Sequence, residues 1–392
     1  MGKWKEVTIG DIAKVKSSKR IFKSDYVSEG VSFYRSKEVG ELYHTNSTNS
    51  ELFISREKYE EIKNKFGVPK KGDLLLTSVG TIGKTWIVDE REFYYKDGNL
   101  TQLIVNDNFS VEFLQYFFKS SLFIDVVFDK VNGTAYNALT IIKIRNFKIP
   151  LPPLLEQQRI VAKLDGLFAK IDQAIGLLEE NIAHTQALMG SVLDAGLELL
   201  EKNHSVTKVC DVVKLSRGHN PPKKDFIYEA RENYVRFLQI RDGSSDKNAC
   251  YVPITKKLHL VTKNDLLLVA YRHVGKVFRK MEGAFNVALC KLENLDESKL
   301  NMTYMFYLVQ SKYIKGELLK RSERALIPSM SVDHLKSLKI PFPDIKKQNE
   351  LALKFENVYR LSKKAIKTQT QKLNQLKALK SSLLDQAFKG EL

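Results

Sequence analysis

The chain of 392 residues is long enough for two or three domains, is 43% hydrophobic and carries a formal net charge of +17, which reads as a globular protein with a polyanionic partner. Cys210, Cys250 and Cys290 lie far apart with no CxxC spacing, which excludes a disulfide framework or a cysteine zinc site and fits free thiols in a reducing cytoplasm. The N-terminal stretch MGKWKEVTIGDIAKV has no apolar signal core, and no run approaches the roughly 18 apolar residues of a membrane span, so neither export nor membrane insertion is expected.

In chain order, VTIGDIAKV (Val7–Val15) opens the first globule. The segment FYRSKE (Phe33–Glu38) comes next, and KGDLLLTSVGTIGK (Lys71–Lys84) pairs a short apolar strand with a glycine-containing turn. EFLQYFFKS (Glu112–Ser120) is an amphipathic helix, and LTIIKIRNFKIPLP (Leu139–Pro152) ends in prolines that forbid helix and force an extended lead-in. A long helix then begins abruptly in PLLEQQRIVAKLD. Its apolar residues Ile160, Leu164, Leu167, Ile171, Ala174, Leu178, Ile182, Leu188 and Val192 fall at steps of mostly four and three, the seam of a coiled coil.

Every one of these segments returns. VTKVCDVVKL (Val206–Leu215), FLQIRD (Phe237–Asp242), KNDLLLVAYRHVGK (Lys263–Lys276), TYMFYLVQS (Thr303–Ser311) and MSVDHLKSLKIPFP (Met330–Pro343) repeat the first globule. IPFPDIKKQNELALKFE opens a second long helix with its own seam at Leu351, Phe355, Val358, Ala365, Leu373, Leu376, Leu379 and Leu383. At about 45 residues and a rise of about 1.5 Å per residue, each helix is a rod of about 65–70 Å. Such rods bury their seams most simply against each other, in an antiparallel pair. The chain is one α/β-plus-helix unit written twice. Glu41–Lys70 and Asp242–Lys256 have no counterparts.

Two stretches imitate enzymes. SVGTIGKT (Ser78–Thr85) is one residue from a phosphate-binding loop, but a strand-like TWIVDE follows it where a helix is required, so a hairpin turn is expected. HNPPK (His219–Lys223) is close to the Asn-Pro-Pro-aromatic loop of amino-methyltransferases, but Lys223 stands where the stacking ring belongs. The seven histidines show no HExxH or paired metal spacing. No catalytic residue and no metal ligand is assigned.

On the PLPPLLEQQRIVAKLD opening, its weaker copy and the terminal AFKGEL (Ala387–Leu392), the chain resembles the specificity subunits of Type I restriction–modification systems over essentially its whole length. The resemblance implies an α+β architecture in which two mixed α/β target-recognition domains (1–148 and 203–339) alternate with two long helices (149–202 and 340–392). The helices pair as an antiparallel coiled coil, and the whole is an internal pseudo-twofold repeat. It implies a non-enzymatic subunit that binds a bipartite, asymmetric site on double-stranded DNA with one half-site per domain. It further implies docking of two modification (methyltransferase) subunits and of restriction (endonuclease and translocase) subunits. S-adenosylmethionine, ATP and Mg are then expected on those partners and no cofactor on this chain. The second copy has Lys347, Asn349 and Glu350 where the first has Glu156, Gln158 and Arg159, so the two ends need not hold a partner equally. Competing readings are a coiled-coil scaffold whose globular ends bind proteins and a free-standing DNA adenine methyltransferase.

The candidate DNA contacts sit in the turns that correspond between repeats. They are Lys19, Arg20, Arg35, Lys37, Thr81, Lys84, Tyr136 and Asn137 in the first domain, and Arg217, Lys223, Gln239, Arg241, Arg272, His273, Lys276 and Arg324 in the second. Lysines neutralise phosphate without reading sequence, whereas arginine, asparagine and glutamine can bond bidentately to base edges. Gln239, Arg241, Arg272 and Asn137 are therefore the expected base readers.

Overall fold

The computed structural model describes residues 4–128, 138–203, 205–319 and 329–392. The chain forms two compact units, Met1–Leu178 with Gln371–Leu392, and Glu179–Thr370.

The first unit begins with β1 (Lys5–Thr8), α1 (Ile9–Ile12), β2 (Ala13–Lys16), β3 (Tyr26–Val27), β4 (Val31–Tyr34), α2 (Ser36–Thr45), β5 (Phe53–Ile54) and α3 (Arg56–Phe66). It continues with β6 (Leu74–Thr77), β7 (Thr85–Ile87), β8 (Phe93–Tyr95), β9 (Leu100–Val105), α4 (Val111–Phe117), α5 (Ser121–Val127), α6 (Ile141–Asn146) and β10 (Lys148–Leu151), which leads into α7 (Leu154–Asn203). The strands make an antiparallel sheet β2-β9-β6-β7, a mixed sheet β3-β5-β4-β8 and the pair β1-β10. The LLLT run of β6 is buried on both faces, as its unbroken apolar sequence requires. Side chains alternate across a strand, so Leu74 and Leu76 join the core under α4, α5 and α7, while Leu75 joins Tyr34, Trp86 and Phe93 on the other face.

The second unit repeats this order with β11 (Val206–Lys208), α8 (Val209–Val212), β12 (Val213–Arg217), β13 (Tyr234–Leu238), β14 (Cys250–Pro253), β15 (Leu260–Val261), β16 (Leu266–Val269), β17 (Val277–Arg279), β18 (Gly283–Phe285) and β19 (Leu289–Asn294). Then come α9 (Met302–Val309), α10 (Lys312–Leu319), α11 (Val332–Ser337), β20 (Lys339–Pro341) and α12 (Ile345–Lys389). Its sheets are β12-β19-β16-β17, β14-β13-β18-β15 and β11-β20; the first and last repeat those of the first unit, while the mixed sheet repeats β5-β4-β8 as β14-β13-β18 and adds β15 beyond β18 where the first unit adds β3 beyond β5. The unmatched sequence of the first unit builds α3 and the second half of α2; the second has only a short 3-10 turn, Ile240–Gly243, where α2 stands.

The proline lead-ins behave as expected, since β10 ends at Leu151 and α7 starts directly after Pro153. The motif glutamines explain the abrupt starts. Gln157 is wholly buried; its Oε1 accepts from Ser110 N at 2.8 Å and its Nε2 donates to Pro152 O at 2.9 Å. Gln348 repeats the clamp with Asn301 N at 2.9 Å and Pro343 O at 2.8 Å. Each helix is thus locked to the domain before it. Beyond the glutamine, Tyr116 donates to Asp165 in one unit and Tyr307 to Glu356 in the other, where Arg279 adds a two-pronged pair to Glu356 at 2.8 and 2.9 Å.

Burial along the long helices is concentrated where they meet a domain. Ile160, Leu164, Phe168 and Ile171 are buried in the first unit together with Leu384, Ala387 and Phe388 from the end of α12. Leu193, Leu197, Leu200, Leu351, Ala352 and Phe355 are buried in the second. The expected seam is corrected at two places, because Leu188 and Leu379 remain 52% and 44% exposed. No helix among the described residues is long and apolar enough to cross a membrane.

Candidate nucleic-acid interface

In the first unit the stretch resembling a phosphate-binding loop is the tight turn between β6 and β7. Thr77 N donates to Lys84 O at 2.8 Å, Lys84 N donates to Thr77 Oγ1 at 2.9 Å, and Gly80 and Gly83 hold φ of 80° and 90°. Hydrogen bonds draw other loops to this turn. Ser78 N donates to Asn99 O and Leu139 N to Ser78 O, both at 2.8 Å, and Val79 bridges Ala138. The loop carrying Lys19 and Arg20 joins through the Arg20–Asp97 ion pair at 2.8 Å and through Lys19 N, which donates to Tyr94 Oη at 2.7 Å. Ser36 Oγ donates to Val79 O at 3.4 Å, so three candidate-bearing segments (residues 16–20, 35–37 and 79–84) meet around Asp97, Asn99 and residues 138–140.

Arg35 and Lys37 are more committed than their sequence suggests. Arg35 Nη2 pairs with buried Glu38 at 2.7 Å and with Glu51 at 3.1 Å, and Lys37 Nζ pairs with Glu51 at 2.5 Å. The hydrogen bond to Glu38 holds the Arg35 guanidinium well above its usual value, so it is permanently charged but already occupied. Lys84 turns back onto α2, its Nζ 4.3 Å from the centre of the Tyr43 ring and 3.1 Å from His44 Nε2. Thr81 is exposed at the tip.

The second unit builds the same junction with different side chains. Ala270 N donates to Ala288 O and Met330 N to Ala270 O, both at 2.8 Å, and Tyr271 bridges Ser329. Arg217 Nη2 donates to Met330 O at 2.7 Å, which brings the end of β12 to the junction. Gly218 beside it is dictated by contact, because a Cβ there would lie 2.1 Å from Phe285 O. Arg272 and His273 are exposed at the tip, and Arg272 holds φ of 64° at the position that Gly80 occupies in the first repeat. Lys276 Nζ lies 3.5 Å from Ser244 Oγ and 5.2 Å from the Phe278 ring centre. Gln239 is half-engaged, with its N–H on Asp242 at 2.7 Å and its amide against Cys250 Sγ at 3.5 Å. Arg241 is exposed and reaches Asn248 O at 3.4 Å, and Lys223 stands exposed on a 3-10 turn. Tyr136, Asn137 and Arg324 lie outside the described residues.

The basic residue that sequence reading passed over is Lys119, at the end of the α4 segment. Its Nζ is 5.4 Å from the Tyr43 ring centre and 5.2 Å from that of Tyr116. Nothing in the spacing of FFKSS distinguishes it from an ordinary surface lysine. Among the described residues no cluster of three or more His, Cys, Asp or Glu side chains is placed to hold a metal. Burial pushes the Cys290 thiol up to about 11, the behaviour of an inert core cysteine.

The model of the Type I restriction modification DNA specificity domain matches residues 1–180 and again 201–378, so that each match covers one repeat. The chain belongs to this DNA specificity domain family. Among similar curated proteins, a putative type I restriction enzyme specificity subunit of Haemophilus influenzae is 35% identical over 164 residues, covering 41% of this chain and 39% of that protein. The EcoBI specificity subunit of Escherichia coli is 25% identical over 62% of this chain and 58% of its own length. The chain thus matches less than two thirds of these two relatives' lengths. The MjaVIII specificity subunit of Methanocaldococcus jannaschii is 24% identical over 99% of this chain and 93% of that protein.

Two solved structures share the fold of this specificity-domain chain. One, from a study of complex assembly and conformational transition of the type I R-M system, has a TM-score of 0.79 at 19% identity, covering 100% of this chain and 98% of that one. The HsdS subunit of Thermoanaerobacter tengcongensis gives 0.59 at 19% identity, covering 99% and 97%.

Proposed function

We propose that this chain is the non-catalytic DNA-recognition subunit of a Type I restriction–modification enzyme, reading a bipartite, asymmetric duplex site with one half-site per domain. The observation that carries the reading is the duplicated junction. The same hydrogen-bonded framework is built twice, around β6–β7 and β16–β17, yet its exposed tips carry different side chains: Gly80 and Thr81 in one, Arg272 and His273 in the other. Equal scaffolds with unequal tips suit two readers of two half-sites.

On this reading the recognition domains are 1–148 and 203–339, and the lysines at the junctions meet phosphate. Arg272, Gln239, Arg241 and Asn137 address base edges. Residues 149–202 and 340–392 form the spacer, pairing as an antiparallel coiled coil. Pairing in that sense is supported within the first unit, where Arg159 reaches Leu392 O at 2.9 Å while Asp172, further along α7, meets Lys380, further back on α12, at 2.7 Å. Two modification subunits and the restriction subunits dock on the assembled chain and bring S-adenosylmethionine, ATP and Mg.

The test is to map methylated bases in a genome that expresses this chain with its modification partner. A single asymmetric motif in two parts separated by an unspecified gap is the expected result. A contiguous motif, or methyl-donor binding by the isolated chain, overturns the reading.

A further inference from the structure

The Lys119 side chain is half-buried, its ammonium over two tyrosine rings and with no carboxylate within ion-pairing distance among the described residues. It lines a cavity of about 480 Å³ in the first unit, together with Tyr43, His44, Asn46 and Gln115. Lys84 stands over the Tyr43 ring from the β6–β7 turn and touches His44. The one carboxylate on the cavity wall, Asp89, is already paired with Arg91 at 2.9 Å. Asp165 and Asp172 offset its charge only from a distance, and withdrawing a cation from water without a paired carboxylate is costly, so a counter-charge supplied at the cavity would be favourable.

We infer that this cavity seats a backbone phosphate of the DNA bound by the first domain, with Lys119 and Lys84 as its two cations and Asn46 and Gln115 as amide donors at its rim. The inference rests on the DNA-recognition reading and adds to it a phosphate subsite that only one domain has. At the position of Lys119 the second repeat carries Gln310, whose amide is spent on Phe306 O at 3.0 Å.

Placement favours a phosphate over an acidic protein side chain. Lys84 closes the same turn that carries Val79 and Thr81 and reaches Tyr43 and His44 of the cavity wall, which links the cavity to the candidate interface. Helix α2 runs from Ser36 at that interface to His44 at the cavity, about 12 Å at a rise of about 1.5 Å per residue. The major groove is about 12 Å wide. A side chain reading bases at one end of α2 would therefore leave the cavity beside a phosphate wall. Burial, and then the charge of Lys380, hold the Lys119 amine below its usual value, a penalty that a bound phosphate relieves.

The experiment uses the full chain assembled with its modification subunits and a fluorescein-labelled duplex carrying the mapped site. Lys119→Met keeps the aliphatic stem against Tyr43 and Tyr116, and Lys119→Gln copies the second repeat; both are checked for wild-type melting. Each is expected to lower the slope of log K against log salt by about 0.9, with the methylated motif unchanged and Lys119→Arg restoring the slope. Replacing phosphates one at a time by neutral methylphosphonate should reveal one position that weakens the wild type and leaves Lys119→Met unaffected. A wild-type slope and methylphosphonate profile in both variants overturns the proposal. So does loss of modification-subunit binding at an unchanged slope, which marks the cavity as a seat for an acidic protein group. If the wild-type complex itself shows no salt-dependent preference for the duplex, the DNA-recognition reading falls with it.

Discussion

Arg272 is held in the left-handed region, where a β-carbon is strained, at a position that the other repeat fills with glycine. A backbone penalty of about 1 kcal/mol at an exposed tip implies that the side chain is wanted. Arg272→Gly should therefore leave stability unchanged or raise it by up to about 1 kcal/mol in urea denaturation. The same change should relax discrimination at one base pair by about 1–3 kcal/mol in competition binding. A loss of stability with discrimination intact would make Arg272 a structural residue. The motif glutamines carry the opposite expectation. Gln157→Ala strands the buried Ser110 N–H, and Gln348→Ala strands that of Asn301, so each should cost about 1–3 kcal/mol by denaturation. Variants as stable as the wild type would show that neither glutamine locks its helix to the domain before it.

The residues flanking those glutamines differ in sequence yet agree in structure. Glu156 pairs with Arg159 at 2.7 Å and Lys347 with Glu350 at 2.8 Å, the same i,i+3 bridge with its polarity reversed. At the level of elements, both helix starts, the strand and turn of each junction, and the repeat itself were legible in the sequence, because prolines, apolar runs and matched segments are local signals. What α7 and α12 pack against was not. Period alone says that a face is buried without saying against what, so the seam written through Leu188 and Leu379 differs from one buried at Leu193 and Leu384. The Arg35–Glu38–Glu51 network and the position of Lys119 depend on Glu51 and Tyr43, which lie in the stretch Glu41–Lys70 that has no counterpart to align with. The helices also offer an internal comparison. A Cβ at Gly176 meets open space, so Gly176→Ala should stabilise by about 0.5–1 kcal/mol through helix propensity. At Gly196 the same atom would lie 2.9 Å from the buried Phe355 ring, and overpacking of about 1–3 kcal/mol outweighs that gain. Melting temperatures moving in the same direction for the two variants would contradict close packing at Gly196.

For the whole molecule, the proposed spacer makes a quantitative demand. Four residues inserted near Asn181 lengthen α7 by about 6 Å and turn it by about 400°, close to a full turn, so its apolar face is kept. DNA rises about 3.4 Å per base pair. The unspecified gap in the methylated motif should therefore grow by one or two base pairs with both half-sites unchanged, whereas two inserted residues turn the face by about 200° and should damage the pairing. An unchanged gap in an active four-residue variant would make the helices a docking surface alone.

The central claim is that each domain reads its own half-site, and exchanging residues 1–148 for the corresponding domain of a relative with a different motif tests it most directly. Methylation mapping of a genome expressing the hybrid with its modification partner should show one half-site replaced by the donor's and the other retained at the same spacing. Both halves changing together, or neither changing in an active hybrid, would contradict it.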